Sequence, residues 1–197
     1  MSLSVIELKK LRQQLRTQRR QLNKFQQKQA EAALLHHLIQ HPQFKHSQKI
    51  GLYLDAFGEI QTHQIIQRCF DLGKTVYLPQ ISTMMFGLSW VKVSQQQWKT
   101  RRFSLHQLGM LEPKQRGCRV QQLDLLILPL LACDEHGTRL GMGGGFYDRA
   151  LQYAPKHPYR LGIAHAFQYL NQPLIRQTWD QPLHALCTPK QSYLFKN

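Results

Sequence analysis

The sequence predicts an α/β protein: three layers with a mostly parallel central sheet flanked by helices, preceded by an N-terminal helical segment. Three observations carry this expectation. A strand, a helix and a second strand follow one another within about 30 residues over 49–79, the pattern of a βαβ unit and hence of a parallel sheet. An apolar run, Leu123-Asp-Leu-Leu-Ile-Leu-Pro-Leu-Leu-Ala132, reads as a buried strand. Residues 4–40 repeat their apolar side chains at helical spacing instead. A length of 197 residues suits one domain, 1–197, with a helical arm over about 4–40.

Residues 4–29 read as the first helix. Leu8, Leu11, Leu15 and Leu22 recur at steps of three, four and seven and form one apolar stripe. Beside it runs a stripe of cations, Lys9, Arg12, Arg16 and Arg19. Like charges so stacked repel by a few tenths of a kcal/mol per pair, roughly, unless an anion relieves them. The stripe is therefore either a solvated basic face or a phosphate clamp. A second helix near 26–40 carries Ala30, Ala33, Leu34 and Leu38 and stops before Pro42. His36, His37, His41 and His46 surround that helix end and are expected to face solvent.

Lys49 to Asp55 reads as the first strand. Thr62 can cap the helix that carries Ile65, Ile66, Cys69 and Phe70, and Gly73 can stop it. Lys74 to Pro79 reads as the second strand. The turn between strand and helix in such a unit lies at the carboxyl edge of the sheet, where ligands bind, and it contains Glu59. Residues 82–121 are less regular. Leu88 to Val93 suits a strand, and Trp98 and Phe103 suit either the core or a wall for a flat ring. After the apolar run, Asp134 to Gly137 forms a turn. Tyr159 to His165 reads as a further strand, and Ala185 to Thr188 as the last.

The composition narrows the function. Hydrophobic residues make up 42%, enough for a core. No apolar run approaches the roughly 18 residues of a membrane span. The start, MSLSVIELKK, turns polar at once, so a cytoplasmic protein is expected. Cys69, Cys118, Cys133 and Cys187 form no CxxC pair and read as free thiols in a reducing compartment. The histidines show no zinc spacing. Lys+Arg 26 against Asp+Glu 11 gives +15, a field that attracts polyanions or multiply charged small molecules.

Residues 137–150, GTRLGMGGGFYDRA, are the most informative stretch. Gly141, Gly143, Gly144 and Gly145 fall within five positions, followed by Phe146, Tyr147 and Asp148 and flanked by Arg139 and Arg149. Glycine permits positive φ and close approach to the main chain. A helix beginning near Tyr147 would aim free N–H groups at an anion. The stretch is neither a P-loop nor a GxGxxG fingerprint. On composition alone, an anion-binding loop and a sterically demanding turn remain equally open.

Taken whole, R-L-G-x-G-G-G-F-Y-D-R resembles the signature of the 5-formyltetrahydrofolate cyclo-ligase (methenyltetrahydrofolate synthetase) family. The resemblance covers nearly the whole chain. Tyr53 to Ile60 is similar to the family's Y-x-x-x-x-G-E-[IV] segment, whose glutamate contacts folate, which implies that role for Glu59. Glu112-Pro113, Ala164 to Gln168 and Asp180 to Pro182 also fit. Lys9-Lys10-Leu11-Arg12 resembles the first-helix piece of the ATP site, although Arg12 to Arg16 fits nearly as well. Two departures stand out. Phe146 replaces the first of two tyrosines, and His184 stands where many relatives carry an acid.

The resemblance implies that MgATP and 5-formyltetrahydrofolate give 5,10-methenyltetrahydrofolate, ADP and phosphate. Lys9, Arg12, Arg139, Gly141, Gly143, Gly144, Gly145, Phe146, Tyr147 and Asp148 would bind ATP. Tyr147 and Arg139 would act in catalysis, and Glu59 and Tyr147 would bind the folate. Asp148 and Asp180 would ligate magnesium, unless either is a structural cap. A monomer with no membrane or nucleic-acid partner is expected, acting on folates that often carry a polyglutamate tail. Two rival readings are a basic nucleic-acid-binding protein, for which no recognition motif is evident, and another small-molecule enzyme on a sugar-phosphate isomerase or CoA-transferase type of fold.

Overall fold

The computed structural model describes residues 5–82 and 87–196. In chain order it contains α1 (Val5–Gln21), α2 (Lys24–Gln40), α3 (Pro42–His46), β1 (Lys49–Gly51), α4 (His63–Asp71), β2 (Thr75–Ser82), β3 (Gly87–Val93) and α5 (Gln95–Lys99). There follow β4 (Ser104–Leu105), β5 (Leu111–Glu112), β6 (Leu125–Pro129), β7 (Ala132–Asp134), β8 (Arg139–Leu140), α6 (Phe146–Leu151), β9 (Tyr159–Ile163), β10 (Tyr169–Leu170), β11 (Ala185–Cys187) and β12 (Ser192–Leu194).

The main sheet runs β12-β11-β9-β6-β1-β2-β3. β11, β9, β6, β1 and β2 pair in parallel, and the two edge strands pair antiparallel. The predicted βαβ unit is β1-α4-β2. The chain winds outward from β1 to β2, then restarts on the other side of β1 with β6. The carboxyl ends of β1 and β6 therefore form a switch point, where open α/β sheets bind ligands.

Both faces of the sheet are covered, which explains the unbroken apolar run. Leu125 and Ile127 pack with Leu34, Leu38, Ile65 and Ile66 of α2 and α4. Leu126 and Leu128 point the other way, toward Leu151 of α6, Trp90 and Val120. Each such side chain contributes roughly 1.5–3 kcal/mol by leaving water. Trp98 and Phe103 pack against the α2/α4 side, so their work is core packing.

The helical arm differs from the expectation in one respect. The first helix ends at Gln21 rather than near 29, because Asn23 starts the second: its side chain accepts from Gln26 N–H while Gln26 reaches back to Asn23 N–H. The expected start at residue 4 lies outside the described residues. Thr62 is the N-cap of α4 but makes no side-chain cap; its hydroxyl donates to Tyr53 C=O at 2.7 Å. His41 is buried, contrary to expectation. Its Nδ1 accepts from Gln43 N–H, and its ring packs by Tyr159.

A second, three-stranded sheet, β10-β7-β8, sits beyond the end of β6. Leu15 of α1 packs on it with Leu131, Ala132, Leu140 and Leu174. This seats the first helix across the carboxyl edge of the main sheet.

Candidate active site

A cleft of about 540 Å³ opens at the switch point. Its walls come from the loop after β1, the ends of β2 and β3, the β4–β5 hairpin, and residues 139–148. Ile81, Leu88, Leu108 and Leu111 supply apolar lining. The glycine stretch, Arg139, Tyr147 and Asp148 supply polar lining.

The glycine stretch is fed by short β8, with β7 and the Asp134–Gly137 turn between it and the apolar strand. Asp134 holds that turn by accepting from His136 and Thr138 N–H. Gly143 (φ +101°) and Gly145 (φ +61°) occupy the positive-φ region, which costs other residues about 1–2 kcal/mol. Gly145 caps α6 with no side-chain oxygen to close the first turn. Gly141 is different. It has no positive φ, and a Cβ there would meet no atom within 4 Å, so neither backbone nor packing demands glycine.

Arg139 and Asp148 form an ion pair of 2.5 Å with side-chain exposures of 4% and 24%. Gln181 brackets the pair: its N–H donates to Asp148 Oδ1 and its C=O accepts from Arg139. The Arg139 guanidinium lies 6.0 Å from the Tyr147 ring centroid. Burial pushes the Tyr147 hydroxyl well up, Glu59 adds to the effect and Arg139 opposes it, so the phenol stays protonated.

Glu59 lines the same cleft. Phe57 (φ +53°) and Gly58 (φ +78°) make the sharp turn before it. Its Oε2 accepts from Ala56 N–H at 3.1 Å, and Oε1 pairs with Arg19 at 3.7 Å. Burial raises the carboxyl to about 7 against the pull of Arg19 and the Ala56 N–H, with Asp55 adding a smaller push upward. Tyr53 is spent structurally, donating to Ile60 C=O.

The cationic stripe of α1 meets this site further along than the sequence suggested. Arg12 Nε donates to Gly141 C=O at 3.4 Å, and Arg16 to Met142 C=O at 2.8 Å. Arg19, 1% exposed, reaches Leu130 C=O, Met142 Sδ and Glu59. Lys9 is exposed at the outer end of the helix. The arginines thus hold the glycine loop by its carbonyls.

Asp180 does not line the cleft; its Oδ2 accepts from Gln177 N–H and closes a turn. No cluster of three or more metal-ligating side chains occurs among the described residues. Asp148 offers a carboxylate directly after the glycine loop. That suits magnesium, which takes one or two carboxylates and completes its shell with phosphate oxygens and water.

Sequence places Arg19 in the cationic stripe without a role of its own, and His165 and Gln168 only within the resembling Ala164–Gln168 stretch. His165 Nε2 contacts Gly58 C=O at 3.1 Å. The Gln168 amide donates to Leu130 and Leu131 C=O at the end of β6. The signals are the helical spacing of the cations for Arg19 and the Ala164–Gln168 stretch for the other two. His184 stacks on Tyr159 at 4.7 Å and contacts Arg160, a structural role for the departure seen in sequence.

Most of the few acids are committed internally. Glu31 accepts from Gln64, Asp55 from Thr62, Glu112 from Ile81, and Asp124 from Gln48 and Lys49. The surplus of cations therefore dominates the surface. No described helix is long and apolar enough to cross a membrane.

Comparison with known proteins supplies the family context. The profile of the 5-formyltetrahydrofolate cyclo-ligase family matches residues 6–189. A Haemophilus influenzae protein named 5-formyltetrahydrofolate cyclo-ligase is 36% identical over 182 residues, covering 87% of this chain and 94% of its own length. Its namesake in Escherichia coli K12 is 34% identical, covering 90% and 97%. Among solved structures, 5,10-methenyltetrahydrofolate synthetase of Aquifex aeolicus superposes with a TM-score of 0.81 at 25% identity, covering 96% of this chain and 93% of its own.

Proposed function

This chain belongs to the 5-formyltetrahydrofolate cyclo-ligase family, and from that premise we propose that the switch-point cleft holds both of its substrates, ATP on the glycine side and 5-formyltetrahydrofolate between Glu59 and the apolar wall. The activity is the ATP-dependent conversion of 5-formyltetrahydrofolate to 5,10-methenyltetrahydrofolate. The observation that supports the placement is the meeting of the glycine loop and Glu59 in one cavity of about 540 Å³, a size suited to small ligands.

The nucleophiles of this reaction belong to the substrates. The formyl oxygen attacks the γ-phosphorus, ADP leaves, and the formyl carbon becomes electrophilic. N10 then closes on that carbon and gives up its proton as phosphate departs with the former formyl oxygen. The protein aligns the partners and meets developing charge. Free N–H groups of 141–145 suit the phosphates, and Gly141 leaves room for their approach. Arg139 supplies a fixed cation. The protonated Tyr147 hydroxyl, set between Glu59 and Arg139, donates a hydrogen bond to the formyl or phosphate oxygen. Arg12, through its terminal nitrogens, and Lys9 extend the cationic rim. Asp148 would hold magnesium, which when bound neutralises phosphate charge. Asp180 enters this role only if its turn opens. We place the enzyme in the cytoplasm as a monomer, and its basic surface would concentrate both anionic substrates.

The test is growth of methenyltetrahydrofolate absorbance on mixing the protein with ATP, magnesium and 5-formyltetrahydrofolate. Chelation by EDTA should stop turnover and leave the unfolding midpoint in place. Glu59→Gln should raise KM for the folate, and Asp148→Asn should act on ATP. If both variants keep near-normal KM and kcat, the placement is wrong.

A further inference from the structure

Arg19 is the most buried cation of the chain and lies where three parts of the site converge. Its side chain is 1% exposed. Its terminal nitrogens reach Leu130 C=O after β6, Met142 Sδ in the glycine stretch and Glu59 Oε1 in the loop after β1. Its own carbonyl oxygen would lie 2.7 Å from a Cβ on Gly58, so helix and loop touch backbone to backbone. Among the described residues its Nε has no partner.

We infer that Arg19 is a positioning residue that holds Glu59 as an aimed carboxylate and ties the folate-side loop to the glycine loop. The inference rests on the reading of Glu59 as a folate contact. A buried cation is stabilised only when paired, and a buried carboxylate likewise. Around Glu59 the charged and titratable groups are Arg19, Asp55, Tyr53 and Tyr147; Arg19 is the only cation among these neighbours. Around Arg19 stand Arg16 and Arg20 on its own helix, and Tyr53 and His165 opposite, all without a second carboxylate. The two charges thus depend on each other. Burial already brings the Glu59 carboxyl up to about 7, so loss of Arg19 leaves it protonated at neutral pH. A protonated carboxyl loses the charge-assisted bond that a carboxylate makes to the N–H groups of an aminopyrimidinone ring.

The experiment is a set of pH profiles of kcat/KM for 5-formyltetrahydrofolate in wild type, Arg19→Met, Arg19→Lys and Glu59→Gln, with ATP kinetics alongside. In Arg19→Met the acid limb should move up by at least about one pH unit, and KM for the folate at pH 7 should rise roughly tenfold, with a smaller change in KM for ATP. Arg19→Lys, which keeps the charge and protects against simple misfolding, should restore most of the limb. Adding Glu59→Gln to Arg19→Met should cost little more, because the two act as a unit. An unmoved acid limb in Arg19→Met and Arg19→Lys, with Glu59→Gln still impaired on folate, overturns the role of Arg19 alone. Wild-type folate kinetics in Glu59→Gln overturn the folate contact first, and this inference with it.

Discussion

Acid should loosen the loop after β1 through His165. That ring is 4% exposed, and burial, reinforced by Arg19, lowers it from 6.5 to about 4; its bond to Gly58 C=O opposes the shift. Nε2–H donates to Gly58 C=O and the ring stacks on Phe167, so a second proton would sit in a buried site out of water. The folded value lies below the unfolded one. His165 therefore contributes its full stability above pH 6.5, and that contribution drains away as pH falls toward 4. The whole shift corresponds to about 3 kcal/mol, of which about 2 kcal/mol is lost between pH 7 and pH 5. Glu59 works in the opposite sense over the same interval, since its carboxyl is raised from 4.5 to about 7 and gains a proton on folding there. The wild-type profile thus mixes the two. The assay is urea unfolding of wild type and His165→Gln from pH 7 to 5. The gap between the two stabilities should narrow by about 2 kcal/mol toward acid. Parallel curves would refute a neutral, buried imidazole at this position.

Other outcomes are equally concrete. Gly58→Ala forces a side chain into φ +78° and onto the Arg19 carbonyl oxygen, so it should lose about 1–2 kcal/mol to backbone strain and a further ~1–3 kcal/mol to the clash, read by urea unfolding, and weaken folate binding. Asp148→Asn should cost stability as well as ATP turnover, because it strips the partner of a nearly buried Arg139; about 1–3 kcal/mol is expected, less than for a fully buried pair because Asp148 keeps 24% exposure. In thiol titration of the folded protein, Cys118 should react first. Cys69, Cys133 and Cys187 are buried with their thiols pushed up, Cys69 to about 12 and Cys187 to about 11, and should stay silent until unfolding.

The parts of this fold legible in sequence are those with local causes. Gly73 and the stripe Ile65, Ile66, Cys69 mark α4, and the doubly buried β6 shows as a run without alternation. The small sheet was not legible, because β7, β8 and β10 are two or three residues each and exist only through partners remote in sequence. The first helix was drawn too long, since residues 20–30 are good helix formers and the Asn23–Gln26 box is a single short signal. In the site, the glycine stretch, Arg139, Tyr147, Asp148 and Glu59 were legible and do meet in one cleft. The register of the cations was not. Lys9, Arg12, Arg16 and Arg19 share one face, and which of them is buried depends on Gly58 approaching α1 at Arg19, a contact between residues 39 apart.

The way α1 lies across the carboxyl edge sets a vulnerability. Leu22 and Asn23 are all that join it to α2, and the large core closes without it. A protease cutting at that joint would leave a folded remnant with its hydrophobic layers whole, yet the glycine loop would lose its arginine struts and Glu59 its counter-ion in a single stroke. Inactivation would then precede any loss of bulk structure.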